Sequence, residues 1–527
     1  MLDILIKGGT VVDGTGQSAF KADVGIGDGR IRLIERDMEQ EAERTIEAEG
    51  LHVAPGFIDP HTHSDLTLLV VPRAESKIRQ GVTTEIVGNC GFSPAPLEGA
   101  AVDEVTTQAG RLDLDVPWRT TAEYLAHLRE SGTSVNVVPL IGHNTVRGCV
   151  LGYDNVQPRA EQLARMERLV AEAMEQGARG LSTGLFYPPG VYSHTDEVVA
   201  LARVVARNDG IYASHIRSES DHLLSAVSEA VEIGRRADVR VEVAHVKLSG
   251  YRNWDDLAPL LSRLEEARGE GLEIGCDQYP YNASACWLGC LLPYRFQTGG
   301  NSAVAERLRD PGVRAELRSD WQENRAAWED RGGIRNWSDV LVSDCPERSE
   351  AVGKTVAEIA AEDDQDPLET VFDLIAISQG RVTVVFFDQL EENVRVLMRH
   401  PMVIVGSDGS SLVPEGILGQ RKPHPRSYGA FPRVLDRYVR QGAVLSLEDA
   451  IRKMTSETAQ RFGLIDRGIV SVGAWADLTV FDADQVADQA TFVDPHQYAS
   501  GIPTVIVNGE IVIDEGAHTG ALPGRVL

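Results

Sequence analysis

Along the middle of the chain, short apolar runs alternate with segments whose apolar residues recur every three or four positions. The runs include "TTEIVGNCG", "VNVVPLIGHN", "ARGLSTGLFY", "GIYASHIRS", "RVEVAHVKLSG", "LEIGCDQYPY" and "PMVIVGSDGS", and an earlier one ends in "GFIDPHTHSD". Runs of this length, bounded by turn residues, read as buried strands, and stretches such as "RAEQLARMERLVAEAMEQGA" and "DHLLSAVSEAVEIGRRA" read as amphipathic helices. The order is strand then helix throughout. Parallel strands joined by right-handed helical crossovers close a (β/α)8 barrel when eight such units follow one another, and residues 56–465 are expected to form one. The stretch around 291–350 breaks the alternation and reads as an insertion after the seventh strand.

The two ends differ from the middle. Residues 1–55 and 466–527 alternate β-branched with polar positions, and Asp28-Gly29 and Asn508-Gly509 are hairpin-turn dipeptides. Neither end is long enough to bury a core alone, so the two are expected to pair as one small composite β-sandwich. The fold class is thus α/β, a TIM-like barrel with a terminal sandwich.

Composition narrows the partners. The 527 residues are 43% hydrophobic and 25% charged, with a formal net charge of −28. Nucleic acid and anionic membrane both need basic patches, so neither is expected as a partner. No basic segment followed by an apolar stretch opens the chain, and no run of about 18 apolar residues occurs, so neither a signal peptide nor a membrane span is expected. Six irregularly spaced cysteines do not form a disulfide framework, which fits the cytoplasm. Oligomeric state leaves no signal in the sequence.

Candidate chemistry lies at the strand ends. Enzymes on this barrel act at the carboxyl ends of their strands. Those ends supply His61 and His63, Cys90, His143, Tyr187, His215, His245 with Lys247, Tyr279 with Tyr281, and Asp408. In an extended chain residues i and i+2 share a face, so His61 and His63 converge. His, Cys and Asp are zinc-binding types, and several of them at one equivalent level point to a metal site. Taken singly each has a plain structural reading: a core histidine, a small buried thiol, a turn aspartate. His143 stays open between structural and site-lining roles, His222 reads as surface helix, and His194 as a loop or capping residue. Gly180-Leu181-Ser182-Thr183-Gly184 matches G-x-S-x-G, but "LFYPPG" follows, and its prolines forbid the helix a nucleophile elbow needs.

These motifs carry a resemblance. "APGFIDPHTHSD" resembles the first-strand signature of the amidohydrolase superfamily, and "GVTTEIVGNCGFSPAP", "STGLFYPPG", "SHIRSES", "AHVKLSG", "GSDGSS" and "HPRSYGAFPRVL" resemble motifs of its D-aminoacylase (N-acyl-D-amino-acid deacylase) family, in order and over the full length. The resemblance implies a tight zinc site of Cys90, His215 and His245. It implies a second, weaker metal position at His61, His63 and Asp408, with the Cys90 sulfur able to bridge. It implies zinc-dependent hydrolysis of N-acyl-D-amino acids to a carboxylate and a free D-amino acid. Asp408 would move the proton and Tyr187 would stabilise the oxyanion. Lys247, Arg426 and Tyr281, or failing it Tyr279, would hold the substrate α-carboxylate. Phe186 would line the side-chain pocket and the insertion would cover it. The loop "LVPEGILGQRK" is longer than the family pattern, which bears on the place of Arg426. Two other readings remain: a cyclic-amide hydrolase of the hydantoinase or dihydroorotase kind, and a non-catalytic scaffold on the same fold.

Overall fold

The computed structural model describes residues 1–323, Trp328 and 334–527; the parts of the 291–350 stretch at 324–327 and 329–333 lie outside the described residues. Eight parallel strands run through the middle of the chain. We label them β1 (Phe57–Asp59), β2 (Val82–Val87), β3 (Asn136–Pro139, resumed at Ile141–Gly142), β4 (Gly180–Gly184), β5 (Ile211–His215), β6 (Arg240–Val243), β7 (Ile274–Gln278) and β8 (Val403–Val405). Each pairs in parallel with the next: β1–β2–β3 in one sheet, and the resumed β3 through β8 in another. Past the ends of β8 and β1 the backbone pairs again: the Asp408 N–H donates to the His61 carbonyl (2.9 Å) and the His63 N–H to that of Gly409 (2.9 Å).

Helices separate the strands, among them Ala160–Glu175, Thr195–Ala206, Leu223–Ala237 and Leu257–Gly269. One face of the strands packs on these helices through residues such as Leu181, Tyr212 and Val241 against Leu169, Leu201, Val227 and Leu264. The other face gathers Ile58, Ile86, Val138, Ala213 and Ile404 into a separate cluster with Phe462. Both faces are therefore buried, which is why these strands are continuous apolar runs rather than alternating ones. Among the described residues no helix is long and apolar enough to cross a membrane.

Strands from the two ends of the chain share a sheet. His52–Pro55 pairs antiparallel with Leu478–Phe481, and that sheet also holds Thr10–Val11 and the hairpin Thr504–Val507/Glu510–Asp514. A four-stranded sheet built only from residues 2–47 packs on it through Ile6, Val24, Ile31, Leu478 and Ile506. Asp28-Gly29 and Asn508-Gly509 both have positive φ at the two turn positions, the backbone a two-residue hairpin needs.

Between β7 and β8 the chain makes an excursion that begins before and ends after 291–350. Ser284–Trp287, Thr383–Phe386 and Val340–Asp344 form an antiparallel sheet with Thr383–Phe386 at its centre. It has its own core, including Leu291, Val342, Phe372 and Val384, and Phe186 from the β4 loop packs into it.

Candidate metal centre

β1 ends at Asp59, so His61 and His63 lie beyond the strand proper. They still share a face because Thr62 between them bridges Gly409 and turns its hydroxyl to the Ile86 carbonyl (2.8 Å). Of the remaining candidates, His215 ends β5, and Cys90, His245 and Asp408 follow the ends of β2, β6 and β8. Cys90 Sγ lies 3.3 Å from His61 Nε2, 3.3 Å from His245 Nε2 and 3.5 Å from His215 Nδ1. His63 Nε2 is 3.0 Å and His61 Nε2 3.6 Å from Asp408 Oδ1. All six sequence candidates therefore meet. The donor atoms of His61, Cys90, His245 and Asp408 lie within 4.8 Å of one another, a quartet that draws on both of the ligand sets the resemblance implies.

This donor set fits a zinc-like ion by its chemistry. Thiolate, neutral imidazole and carboxylate are the zinc ligand types. Burial opposes the Cys90 thiolate, yet the flanking His61 and His245 hold its pKa well below the usual thiol value. His215 Nε2 and His61 Nδ1 are buried without a hydrogen-bond partner among the described residues. Cys90, His245 and Asp408 all have positive φ (53°, 34° and 50°), a region non-glycine residues seldom occupy, where strain gathers at functional sites.

A second tier of residues, not singled out from the sequence, fixes these donors. Glu219, four residues after His215, lies 2.9 Å from His245 Nδ1 and 3.6 Å from His215 Nε2, and it pairs with Lys247. Burial alone would raise its pKa, but Lys247, His215 and His245 hold it below the carboxylate range. The Asp277 carboxylate accepts the His245 N–H (2.9 Å) and sits 3.6 Å from His61 Nδ1. Lys77, fully buried, donates to Asp59 (2.7 Å) and to the Ser407 hydroxyl directly beneath His61 and Asp408.

Ser182 has a structural place. Its hydroxyl donates to the Gly88 carbonyl and accepts the Gly91 N–H (3.0 Å), so it clamps the loop that presents Cys90. Gly91 must be glycine: φ is 81°, and a Cβ would stand 2.6 Å from the Gly184 nitrogen.

The substrate-side candidates divide. Arg426 does reach the centre, where Nη1 pairs with Asp408 Oδ2 at 2.7 Å and the guanidinium covers the Tyr279 ring at 4.8 Å. Lys247 Nζ lies 2.8 Å from His245 Nδ1. Tyr187 stands edge-on to His215 at 4.8 Å, and burial pushes its phenol well above the ordinary value, so it stays protonated. Tyr281 points elsewhere: its hydroxyl donates to Asp488 (3.1 Å) under Arg433. Tyr279 takes the cavity position, its hydroxyl accepting from Gln389 (2.9 Å). His143 is structural, with Nε2 2.7 Å from Glu197 Oε1, while His194 and His222 stand at the amino ends of helices. The centre opens into a cavity of about 470 Å³, with Phe186, Tyr187, Tyr279 and Trp287 in its wall.

Known proteins place this architecture. The amidohydrolase family model matches residues 44–513. The chain is 37% identical to an N-acyl-D-glutamate deacylase of Alcaligenes xylosoxydans xylosoxydans, over 100% of this chain and 96% of that one. A solved N-acyl-D-glutamate deacylase from Bordetella bronchiseptica, complexed with zinc and a phosphonate mimic of the tetrahedral intermediate, is 34% identical with a TM-score of 0.84, covering 100% of this chain and 99% of that one. A D-aminoacylase structure with a binuclear metal center is likewise 34% identical with a TM-score of 0.84, covering all of both chains. With its sequence matched from end to end and its fold shared at that level, the chain belongs to the amidohydrolase family.

Proposed function

We propose that this protein hydrolyses the amide bond of N-acyl-D-amino acids, releasing a carboxylate and a free D-amino acid. The carrying observation is the contact of one buried thiol with three imidazoles, beside a carboxylate, at the mouth of a cavity. In this reading the eight parallel strands form a (β/α)8 barrel over 56–465, interrupted after β7, and the terminal segments 1–55 and 466–527 form the composite sandwich.

Cys90, His215 and His245 would hold a tight zinc ion, and His61, His63 and Asp408 a weaker second one. Zinc supplies a Lewis acid for the amide carbonyl and makes water acidic enough to attack near neutral pH.

The chain's own groups do the rest. Asp408 accepts the proton of the attacking water and returns it to the amide nitrogen, which leaves poorly unless protonated. The Tyr187 phenol donates to the developing oxyanion, a contribution of about 3 kcal/mol. Lys247, Arg426 and Tyr279 take the α-carboxylate; the Tyr279 hydroxyl accepts from Gln389 and so keeps its own hydrogen to donate. Phe92 and Tyr187 each stand edge to face with Trp287 at 5.6 Å and tilted to one another at 6.1 Å, which gives the reacting centre an aromatic wall.

A panel of N-acetyl-D- and N-acetyl-L-amino acids, with hydantoin and dihydroorotate as cyclic competitors, tests this reading on zinc-loaded protein. Turnover confined to the D-series supports it. Preference for the cyclic amides overturns it, and so does a protein that purifies without zinc and hydrolyses nothing.

A further inference from the structure

The cavity wall carries its Lys and Arg side chains mostly in one-to-one pairs. Lys247 faces Glu219, Arg426 faces Asp408 (2.7 Å) and Arg381 faces Glu104 (3.3 Å). The two remaining arginines break the pattern. Arg421 Nε and Arg111 Nη2 converge on one oxygen, Asp344 Oδ2, at 3.4 and 3.6 Å. Both separations exceed ordinary hydrogen-bond length. Arg111 Nη2 is buried without a hydrogen-bond partner among the described residues. The other unpaired lining carboxylates pair with neither arginine: Asp388 accepts from the Ser249 and Ser284 hydroxyls, and Asp65 forms no ion pair with Arg111 or Arg421.

The backbone holds the corner in place. Arg111 follows the helix Ala100–Gly110, and Asp344 ends the excursion strand Val340–Asp344. Arg421 follows the short helix Gly416–Gln420, and the next residue's N–H, that of Lys422, donates to the Ser343 carbonyl (2.9 Å). One carboxylate thus faces two guanidiniums, at separations longer than an ordinary hydrogen bond. A guanidinium is built to take a carboxylate in a bidentate, charge-assisted contact.

We infer that Arg111 and Arg421 form a subsite for a second carboxylate, so that the substrates are N-acyl derivatives of acidic D-amino acids whose side-chain carboxylate seats against the two guanidiniums. The inference rests on the deacylase reading and narrows it. An amide isostere can satisfy neither charge, and a site built for a polar group rejects its imperfect analogue strongly.

The test compares kcat/KM for N-acetyl-D-glutamate and N-acetyl-D-glutamine in the zinc-loaded wild type, Arg421→Gln and Arg111→Gln. The expected wild-type preference for glutamate is roughly 100-fold, falling at least about tenfold in either variant. Arg421→Lys keeps the charge without the fork, and is expected to retain part of the preference should the glutamine variant fail to fold. Equal turnover of the two substrates by the wild type overturns the subsite and leaves the deacylase reading standing. Equal losses on both substrates in the variants also overturn it, because they place the arginines on the α-carboxylate or in the fold. If no N-acyl-D-amino acid is hydrolysed, the deacylase reading falls. The subsite is then judged by calorimetric binding of the same two compounds: tighter binding of the glutamate supports it, and equal binding overturns it.

Discussion

Arg426 Nη1 and Asp408 Oδ2 stand 2.7 Å apart, both buried, so the arginine reads as a support for the proposed proton carrier as well as a cation for substrate. The two roles separate kinetically. Loss of a uniform binding contact raises KM at constant kcat, whereas loss of a contact that orients a catalytic group lowers kcat. Arg426→Gln is expected to lower kcat by roughly 10–100-fold, on the scale of general acid–base catalysis. A rise in KM alone, seen in steady-state kinetics with N-acetyl-D-amino acids, would assign Arg426 to the substrate carboxylate only.

Cys90 and Asp408 are expected to fail in different ways. Cys90→Ala removes the atom that touches three histidines and should strip the tight zinc, read as metal per chain by mass spectrometry after dialysis. Asp408→Ala should keep about one zinc per chain and lose roughly 10³-fold or more in kcat. A cysteine variant with unchanged zinc content breaks the assignment of the tight site.

Lys77 and Asp59 form an ion pair with no exposed side-chain surface. Removing one partner of such a pair strands the other charge, at about 3–5 kcal/mol. Lys77→Met should lower the urea midpoint accordingly, and Lys77→Met combined with Asp59→Asn should recover part of the loss. An unchanged midpoint in the single variant would contradict the buried pair.

Lys453 gives stability a pH dependence of defined sign. Its ammonium donates to the His400 and Val403 carbonyls (2.7 Å each) below β8, and burial pushes its pKa down to about 8, against 10.5 for the free side chain. Between those values the unfolded chain holds the proton more often than the folded one, so this group's contribution to stability rises with pH across that window. The stability difference between wild type and Lys453→Met, measured by urea unfolding from pH 7 to 10.5, should shift in favour of the wild type as pH rises. A flat difference would show that the lysine is not desolvated.

The six candidate ligands stood out because ligand types lay at equivalent strand ends, and their meeting needed only parallel strands in chain order. The supports were not legible. Glu219 and Asp277 look like ordinary polar residues until the fold brings His245 between them, and Lys77 lies in a segment with no motif. Tyr281 shows where alternation stops serving: β7 ends at Gln278, the chain turns, and a carboxylate more than 200 positions later takes its hydroxyl. The excursion between β7 and β8 was only partly legible, because its sheet pairs antiparallel strands as distant as Ser284–Trp287 and Thr383–Phe386.

The donors of the quartet begin at His61 and end at Asp408, and each follows the end of a different parallel strand. An ion held among them therefore fastens the first strand to the last, and no fragment ending before Asp408 can assemble the set. The free energy of metal capture is then spread over the whole strand array rather than lodged in one loop. Loading would then report that the first and last strands have come together.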